Sequence, residues 1–299
     1  MNSKHIIVAG MPRSATTFLY FVAKDHPEIF LPYLKESNFF VTNQTRGVDW
    51  YRELFDDAAP GQTTLDISPA TFIDPEADER ILETCPDAKI IVMVRDPIEW
   101  CLSFYSQFKS FDYSTPVFER FAKGHLYRHG VGQVQLKFDD NFVPERIQLM
   151  MERFGDRLLV MSYRLMRDDP VRALQVIEDF SDLTPHFSDE NVTNLKINAS
   201  GRRNLRLVSY LLSREWLVRS INLLGISRLA RKLRSFFDRT SAQIIQPRDV
   251  LYTAEELEIN EMMFRDQQNW VDNFFEENLV LRGTGEPFHS ARFATVPAK

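Results

Sequence analysis

Cysteine is almost absent from this chain. Cys85 and Cys101 are the two among 299 residues, too few for a disulfide framework and suited to a reducing compartment. Both read as small buried core residues. Long hydrophobic runs are missing as well: no apolar stretch reaches the roughly 18 residues that span a bilayer. No secretory leader precedes the first apolar segment, so the sequence-based expectation is a cytoplasmic protein. The glycosylation sequons at Asn43, Asn191 and Asn198 then carry no consequence. Positive charge is in deficit overall, 36 Lys and Arg against 42 Asp and Glu for a net charge of −6. That balance argues against nucleic-acid binding and requires any anionic ligand to be held by local basic clusters. No His/Cys/Asp cluster has metal-ligand spacing, so no metal is expected. Internal repeats and low-complexity tracts are absent.

What is present is a chain of 44% hydrophobic residues, enough for a full core, organised around residues 10–17, GMPRSATT. The loop follows an apolar strand-like run, Ile6-Ile7-Val8-Ala9, and leads into a helical pattern carrying Phe18, Leu19, Phe21 and Val22. A strand that turns sharply into a helix presents unpaired N–H groups and the positive end of the helix dipole, which together favour an anion. Gly10 permits the tight exit, Pro12 stiffens the loop, Thr16 and Thr17 add hydroxyls, and Arg13 adds a permanent charge. The ATP-type loop reads G-x-x-x-x-G-K-[ST]. Here Ala15 stands for the second glycine and Thr16 for the lysine, while the cation sits three positions early at Arg13. Taken alone, the loop fits a phosphate cradle, a degenerate nucleotide loop or a plain strand–turn–helix.

The rest of the chain alternates strand and helix. The first helix is expected to run to about Asp25, where His26-Pro27 stops it. Lys35-Glu36, flanked by apolar residues, suggests a segment dipping toward a cleft, although a glutamate is most often a solvated surface charge. Trp50, Tyr51, Leu54 and Phe55 read as core. Strands are expected over residues 63–67, 88–94 and 157–162, with helices over 75–84, from Pro97 onward, over 145–153 and over 170–180. The run Ile90-Ile91-Val92-Met93-Val94 has the β-branched continuity of a strand covered on both faces. Asp96 is expected to cap the helix that Pro97 opens. Residues 111–142 read as an irregular insertion whose Phe111, Tyr113, Phe118, Phe121 and Tyr127 suggest a partly apolar cleft. Between residues 202 and 239, ten Lys or Arg face Glu215 and Asp238 on amphipathic helical patterns. This is a charged helical face, or else a surface for anionic membrane or an acidic acceptor. A last helix over 254–275 has Thr253 as N-cap and Glu256 to complete a capping box. The expected fold is α/β: a P-loop-like three-layer α/β/α arrangement around a parallel sheet of about five strands, plus a helical C-terminal portion. One domain is expected over 1–299, with a core over 1–200 and a basic helical cap and C-terminal helices over 201–290.

Arg95 closes the strand over 88–94, and Ser103 follows eight residues later on the next helix. In open α/β sheets, ligands collect at the carboxyl ends of strands. If the strands that end at Gly10 and Val94 are neighbours, two anion sites face one crevice. The segment IVMVRDPIEWCLSFYSQF resembles the 3′-phosphate motif of sulfotransferases that use 3′-phosphoadenosine 5′-phosphosulfate (PAPS), and the loop at 10–17 resembles their 5′-phosphosulfate loop. Residues 35–40, KESNFF, are similar to the K-E-x-x-[FY]-F motif of heparan-sulfate-type and related bacterial members, where the glutamate is the general base. Ser200-Gly201-Arg202-Arg203 resembles the family's later Gly-Arg loop over the 3′-phosphate and adenine. The resemblance covers most of residues 5–203 and is weakest for the acceptor site.

This resemblance implies Glu36 and Arg13 as catalytic residues, and Arg13, Ser14, Ala15, Thr16, Thr17, Arg95, Ser103, Gly201, Arg202 and Arg203 as contacts to PAPS or its product PAP. It implies sulfuryl transfer to a hydroxyl, less readily an amine, of a small-molecule, lipid or glycan acceptor. Peripheral membrane contact through residues 202–239 is a further expectation. Three departures stand out. Asp66-Ile67-Ser68-Pro69 takes the place of an E-K-[TS]-P motif, so a lysine becomes Ile67. Gln135 falls where some members carry a histidine, with His125 and His129 nearby. The stretch 205–248 is longer than the family's cofactor-capping loop. The competing readings are a P-loop nucleotide or small-molecule kinase and a non-enzymatic protein that docks on anionic membrane or a partner.

Overall fold

The computed structural model describes residues 4–111, 118–129, 132–136, 138, 141–190, 192 and 252–289. In chain order its strands are β1 His5–Gly10, β2 Ile29–Phe30, β3 Thr63–Ile67, β4 Lys89–Val94, β5 His125–His129, β6 Gly132–Leu136, β7 Leu158–Ser162 and β8 Val280–Arg282. Its helices are α1 Thr16–Ala23, α2 Val48–Glu53, α3 Glu76–Thr84, α4 Pro97–Phe111, α5 Phe118–Gly124, α6 Phe142–Phe154, α7 Tyr163–Asp168, α8 Pro170–Phe180 and α9 Ala254–Phe274. One compact unit comprises residues 1–187 and 247–299; residues 188–246 form a second. Most of the second unit, including Gly201, Arg202, Arg203 and the basic stretch 202–239, lies outside the described residues.

The main sheet has the order β2-β3-β1-β4-β7-β8. Its first five strands run parallel, and β8 adds antiparallel to β7. The α/β fold and the five-strand parallel core agree with the sequence pattern. Every residue of β1, β3 and β7 is buried, so alternating side chains face apolar layers on both sides, as crossover helices require. Side chains such as Ile90, Ile91 and Val92 each contribute on the order of 1.5–3 kcal/mol by this burial. At Gly10, the last residue of β1, nothing larger fits: a β-carbon there would press on Phe72 Cβ.

Several local expectations are corrected. Helix α1 stops at Ala23, two residues short of Asp25. The insertion is ordered as α5 and an antiparallel β5–β6 hairpin, with Leu126 opposite Gln135. Phe118 and Phe121 do not line a cleft; they are 1% and 0% exposed and pack on Tyr105. Asp96 does precede α4, its carbonyl accepting from Trp100 N at 2.8 Å, and its carboxylate also accepts from Arg164 at 2.7 Å. The α9 capping box forms as read, Thr253 Oγ1 accepting from Glu256 N and Glu256 Oε2 from Thr253 N. Helix α9 packs on α4, where Asn260 donates to the Ile98 carbonyl at 3.0 Å. Among the described residues, no helix is long and apolar enough to cross a membrane.

Candidate active site

The site is built at the carboxyl ends of two adjacent strands. β1 and β4 pair in parallel, with Ile7 opposite Ile90 and Gly10 opposite Val92, so the loop after β1 and Arg95 after β4 emerge side by side. The loop is held from both sides. Met11 N donates to the Met93 carbonyl at 2.9 Å, and Trp100 Nε1 donates to the Pro12 carbonyl at 3.0 Å. Arg13 and Ala15 both adopt positive φ, at 67° and 59°. Residues other than glycine accept that conformation only where the surroundings hold it, and such strain collects at functional sites. An alternation of this kind turns backbone N–H groups toward a common point. Ala15 then caps α1, whose first-turn amides at Thr16 and Thr17 have no intrahelical acceptor. The N–H of Ser14 is not among the available donors, because it turns back to the Met11 carbonyl at 3.3 Å.

Arg13 Nε donates to Ser103 Oγ at 3.2 Å, and Arg95 Nη1 donates to the main-chain carbonyl of Arg13 at 2.9 Å. The predicted pair of basic residues and the predicted serine therefore meet in one place. Partial burial, and next the like charge of Arg95, hold the Arg13 guanidinium below its ordinary range. Two cations pressed together in this way favour an anion between or beside them. Glu99 sits one turn along α4 and meets Arg95 Nη2 at 3.4 Å, a long and half-exposed pair that screens little. Among the described residues, the buried Ser14 Oγ and Arg95 Nε have no hydrogen-bond partner. A buried polar atom without a partner is one that a ligand can satisfy, and these two lie in the cradle. Residues of this chemistry fit a nucleotide with two separated anionic groups.

Glu36 is linked to the first turn of α1 through its neighbour. Lys35 Nζ donates to Thr17 Oγ1 at 3.1 Å and approaches Glu36 Oε1 at 3.5 Å, which ties the carboxylate to the first turn of α1. Both side chains are partly exposed, so Glu36 can meet a ligand from outside. The sequence marks Lys35 as the partner of Glu36 in a motif, but its contact with Thr17, 18 residues away, becomes visible only when α1 and residues 35–36 are seen together. Ile67, 2% exposed, is a core residue of β3 and brings no charge to the site. Gln135 lies on β6, and His125 and His129 on β5, but their side chains are outside the described residues. No group of three His, Cys, Asp or Glu capable of holding a metal occurs among the described residues.

This geometry agrees with what known proteins resemble the chain. The model of the sulfotransferase domain matches residues 3–200. Heparan sulfate glucosamine 3-O-sulfotransferase 6 of Mus musculus is 29% identical over 193 residues, covering 62% of this chain and 54% of that protein. Heparan sulfate glucosamine 3-O-sulfotransferase 3B1 of Mus musculus is 27% identical over 187 residues, covering 62% and 47%. The chain thus spans about half the length of the curated relatives it matches. Among solved structures, mouse sulfotransferase SULT7A1 complexed with PAP superposes with a TM-score of 0.50 at 15% identity, covering 92% of this chain and 90% of that one. That likeness shows a shared fold. With its two anion-facing strand ends and a family match that includes both, the chain belongs to the sulfotransferase-domain family.

Proposed function

We propose that this protein transfers a sulfuryl group from PAPS to an acceptor hydroxyl by in-line displacement. The observation that carries the reading is the meeting of Arg13, Arg95 and Ser103 at the ends of β1 and β4. Bound PAPS supplies an activated sulfuryl group and a phosphate leaving group. Arg13 and the first-turn amides of Thr16 and Thr17 hold the charge that develops on the departing 5′-phosphate. Arg95, with its unpartnered Nε, and Ser103 hold the 3′-phosphate and so distinguish PAPS from ATP-like nucleotides. Glu36 takes the acceptor's proton as attack develops. Positioning and charge stabilisation do most of the work in this class of transfer, much as in phosphoryl transfer.

The names of the relatives favour a glycan hydroxyl among the small-molecule, lipid and glycan classes. Gly201, Arg202 and Arg203 belong to the same proposal, as a closing loop over the 3′-phosphate and adenine, and the basic stretch 202–239 as a peripheral membrane contact. A thermal-shift comparison of PAP, ATP with magnesium, and acidic liposomes tests the reading. PAP alone is expected to stabilise the protein, by about 2.7 kcal/mol at a hundredfold excess over its Kd. Stabilisation by magnesium–ATP and not by PAP would replace the proposal with a kinase. Transfer of labelled sulfate from PAPS to a panel of glycans, lipids and small hydroxyl compounds identifies the acceptor.

A further inference from the structure

Asp66 lies on β3 with 1% exposure, and both of its oxygens are engaged. Oδ2 accepts from Ser37 Oγ at 2.6 Å and from Tyr51 Oη at 3.0 Å, and Oδ1 accepts from Ser68 Oγ at 2.8 Å. Its partners among the described residues are three hydroxyls. Desolvation holds this carboxyl above the usual carboxylate range, against those three hydrogen bonds that lower it. A buried carboxylate so placed costs the fold stability that an apolar residue would not. Its effect is local and directed at one segment. Ser37 follows Glu36 directly, and Asn38 N donates to the same Ser68 Oγ at 3.0 Å. The carbonyl of Ser37 accepts from Asn43 Nδ2 at 2.8 Å, and Phe39 N reaches Ser37 Oγ at 3.3 Å. The two residues after Glu36 are thereby pinned, directly or through one serine, to a single carboxylate. The carboxylate is itself anchored to β1, because Tyr51 Oη accepts from His5 Nε2 at 2.9 Å. The side chain of Glu36 meets Lys35 Nζ at a long 3.5 Å, so the aim of Glu36 depends on the backbone that carries it.

We infer that Asp66 is a positioning residue for Glu36: it fixes residues 37–38 and so sets the direction from which the Glu36 carboxylate meets the cradle. This rests on the reading of Glu36 as the general base. Tight placement of a base is worth orders of magnitude in rate, because a displacement of about 1 Å can cost roughly 10² in turnover. A role in fold stability alone would leave the rate of the folded protein unchanged.

Asp66→Asn keeps the shape and withdraws an acceptor; Ser37→Ala removes one bond and leaves the carboxylate in place. Each is measured in the wild-type and the Glu36→Gln backgrounds by PAP affinity, by sulfuryl transfer to the acceptor the panel identifies or to water, and by hydrogen exchange over residues 33–41. The expected result is turnover at least tenfold lower, PAP affinity within about threefold, faster exchange at residues 37–38, and no further loss in the Glu36→Gln background. Turnover within twofold of wild type in both variants, or an equal further loss on top of Glu36→Gln, overturns the inference. Should Asp66→Asn fail to fold, Ser37→Ala and Ser68→Ala carry the same comparison. A Glu36→Gln protein that retains turnover removes the base reading and this inference with it. A crippled Glu36→Gln beside active Asp66→Asn and Ser37→Ala removes this inference alone.

Discussion

Arg95 Nη1 donates to the main-chain carbonyl of Arg13 at 2.9 Å, so the end of β4 braces the very loop that follows β1. Its Nη2 meets Glu99 at 3.4 Å and its Nε has no partner among the described residues, so Nε is the donor left for the 3′-phosphate of the proposed cofactor. Arg95→Ala is expected to weaken PAP by about 30-fold, roughly 2 kcal/mol for a lost charge-assisted hydrogen bond. A nucleotide without the 3′-phosphate, such as ADP, should lose less than about fivefold. Titration calorimetry with both ligands checks this. Equal losses would leave Arg95 as a brace for the loop and nothing more.

Glu36→Gln should leave PAP binding nearly unchanged while turnover falls by about 10² or more, as expected when a general base is removed. The partly exposed setting of Glu36 makes a folding defect an unconvincing rival explanation, and a thermal melt will show it. Unchanged turnover would take Glu36 out of the mechanism.

Lys35 stands between the loop hydroxyl of Thr17 and the carboxylate of Glu36. Its ammonium thus links the first turn of α1 to the proposed base. Lys35→Met is expected to lower kcat by about tenfold with little change in PAP affinity, since a fixed charge near developing negative charge acts mainly in the transition state. Lys35→Arg should recover part of the loss. A loss confined to PAP affinity would make Lys35 a binding residue only.

Much of this site could be read from the chain because its signals are local. A β-branched run, a turn residue such as Gly10, and a basic residue at a strand end all sit within a few positions of one another. The capping box at Thr253 and Glu256 is local in the same way. What escaped the sequence depends on distance along the chain. Asp66 reads as a motif departure until Ser37 and Tyr51 are brought to it from 29 and 15 residues away. The buried Arg146–Asp78 pair spans 68 residues, and neither member carries a mark of burial. Strands β2 and β8, of two and three residues, are too short to show a period. Asp96 sits directly before α4, where its carbonyl accepts from Trp100 N at 2.8 Å, but the engagement of its carboxylate by Arg164, 68 residues away, has no local sign.

Gly10 joins the fold to the site. A β-carbon at this position would press on Phe72 Cβ, and Phe72 is fully buried in the core. Gly10→Ala is therefore expected to destabilise the protein by on the order of 1–3 kcal/mol through overpacking, visible as a lower Tm. PAP affinity should fall with it, because the loop leaves the sheet at that residue. An unchanged Tm would mean that Phe72 can move aside.

His5 gives the protein an acid limit. Burial, with a smaller contribution from the N-terminal charge, lowers its pKa from 6.5 to about 3. Its Nε2 donates to Tyr51, which donates onward to Asp66, and its Nδ1 meets Thr64 Oγ1 at 2.7 Å, so the folded protein holds the ring neutral. The unfolded chain takes up a proton at His5 below about pH 6.5 and the folded protein does not. This contribution to stability is therefore complete above pH 6.5 and is lost as the pH falls toward 3, by up to about 1.4 kcal/mol for each pH unit. Asp66 works with the opposite sign: its raised pKa lets the folded protein bind a proton before the unfolded chain does. The two are separated by comparing urea unfolding from pH 7 to 4 in the wild type and in His5→Gln. The variant should be less stable at pH 7 but show a pH slope shallower by about one proton. An identical slope in both proteins would place the acid sensitivity elsewhere.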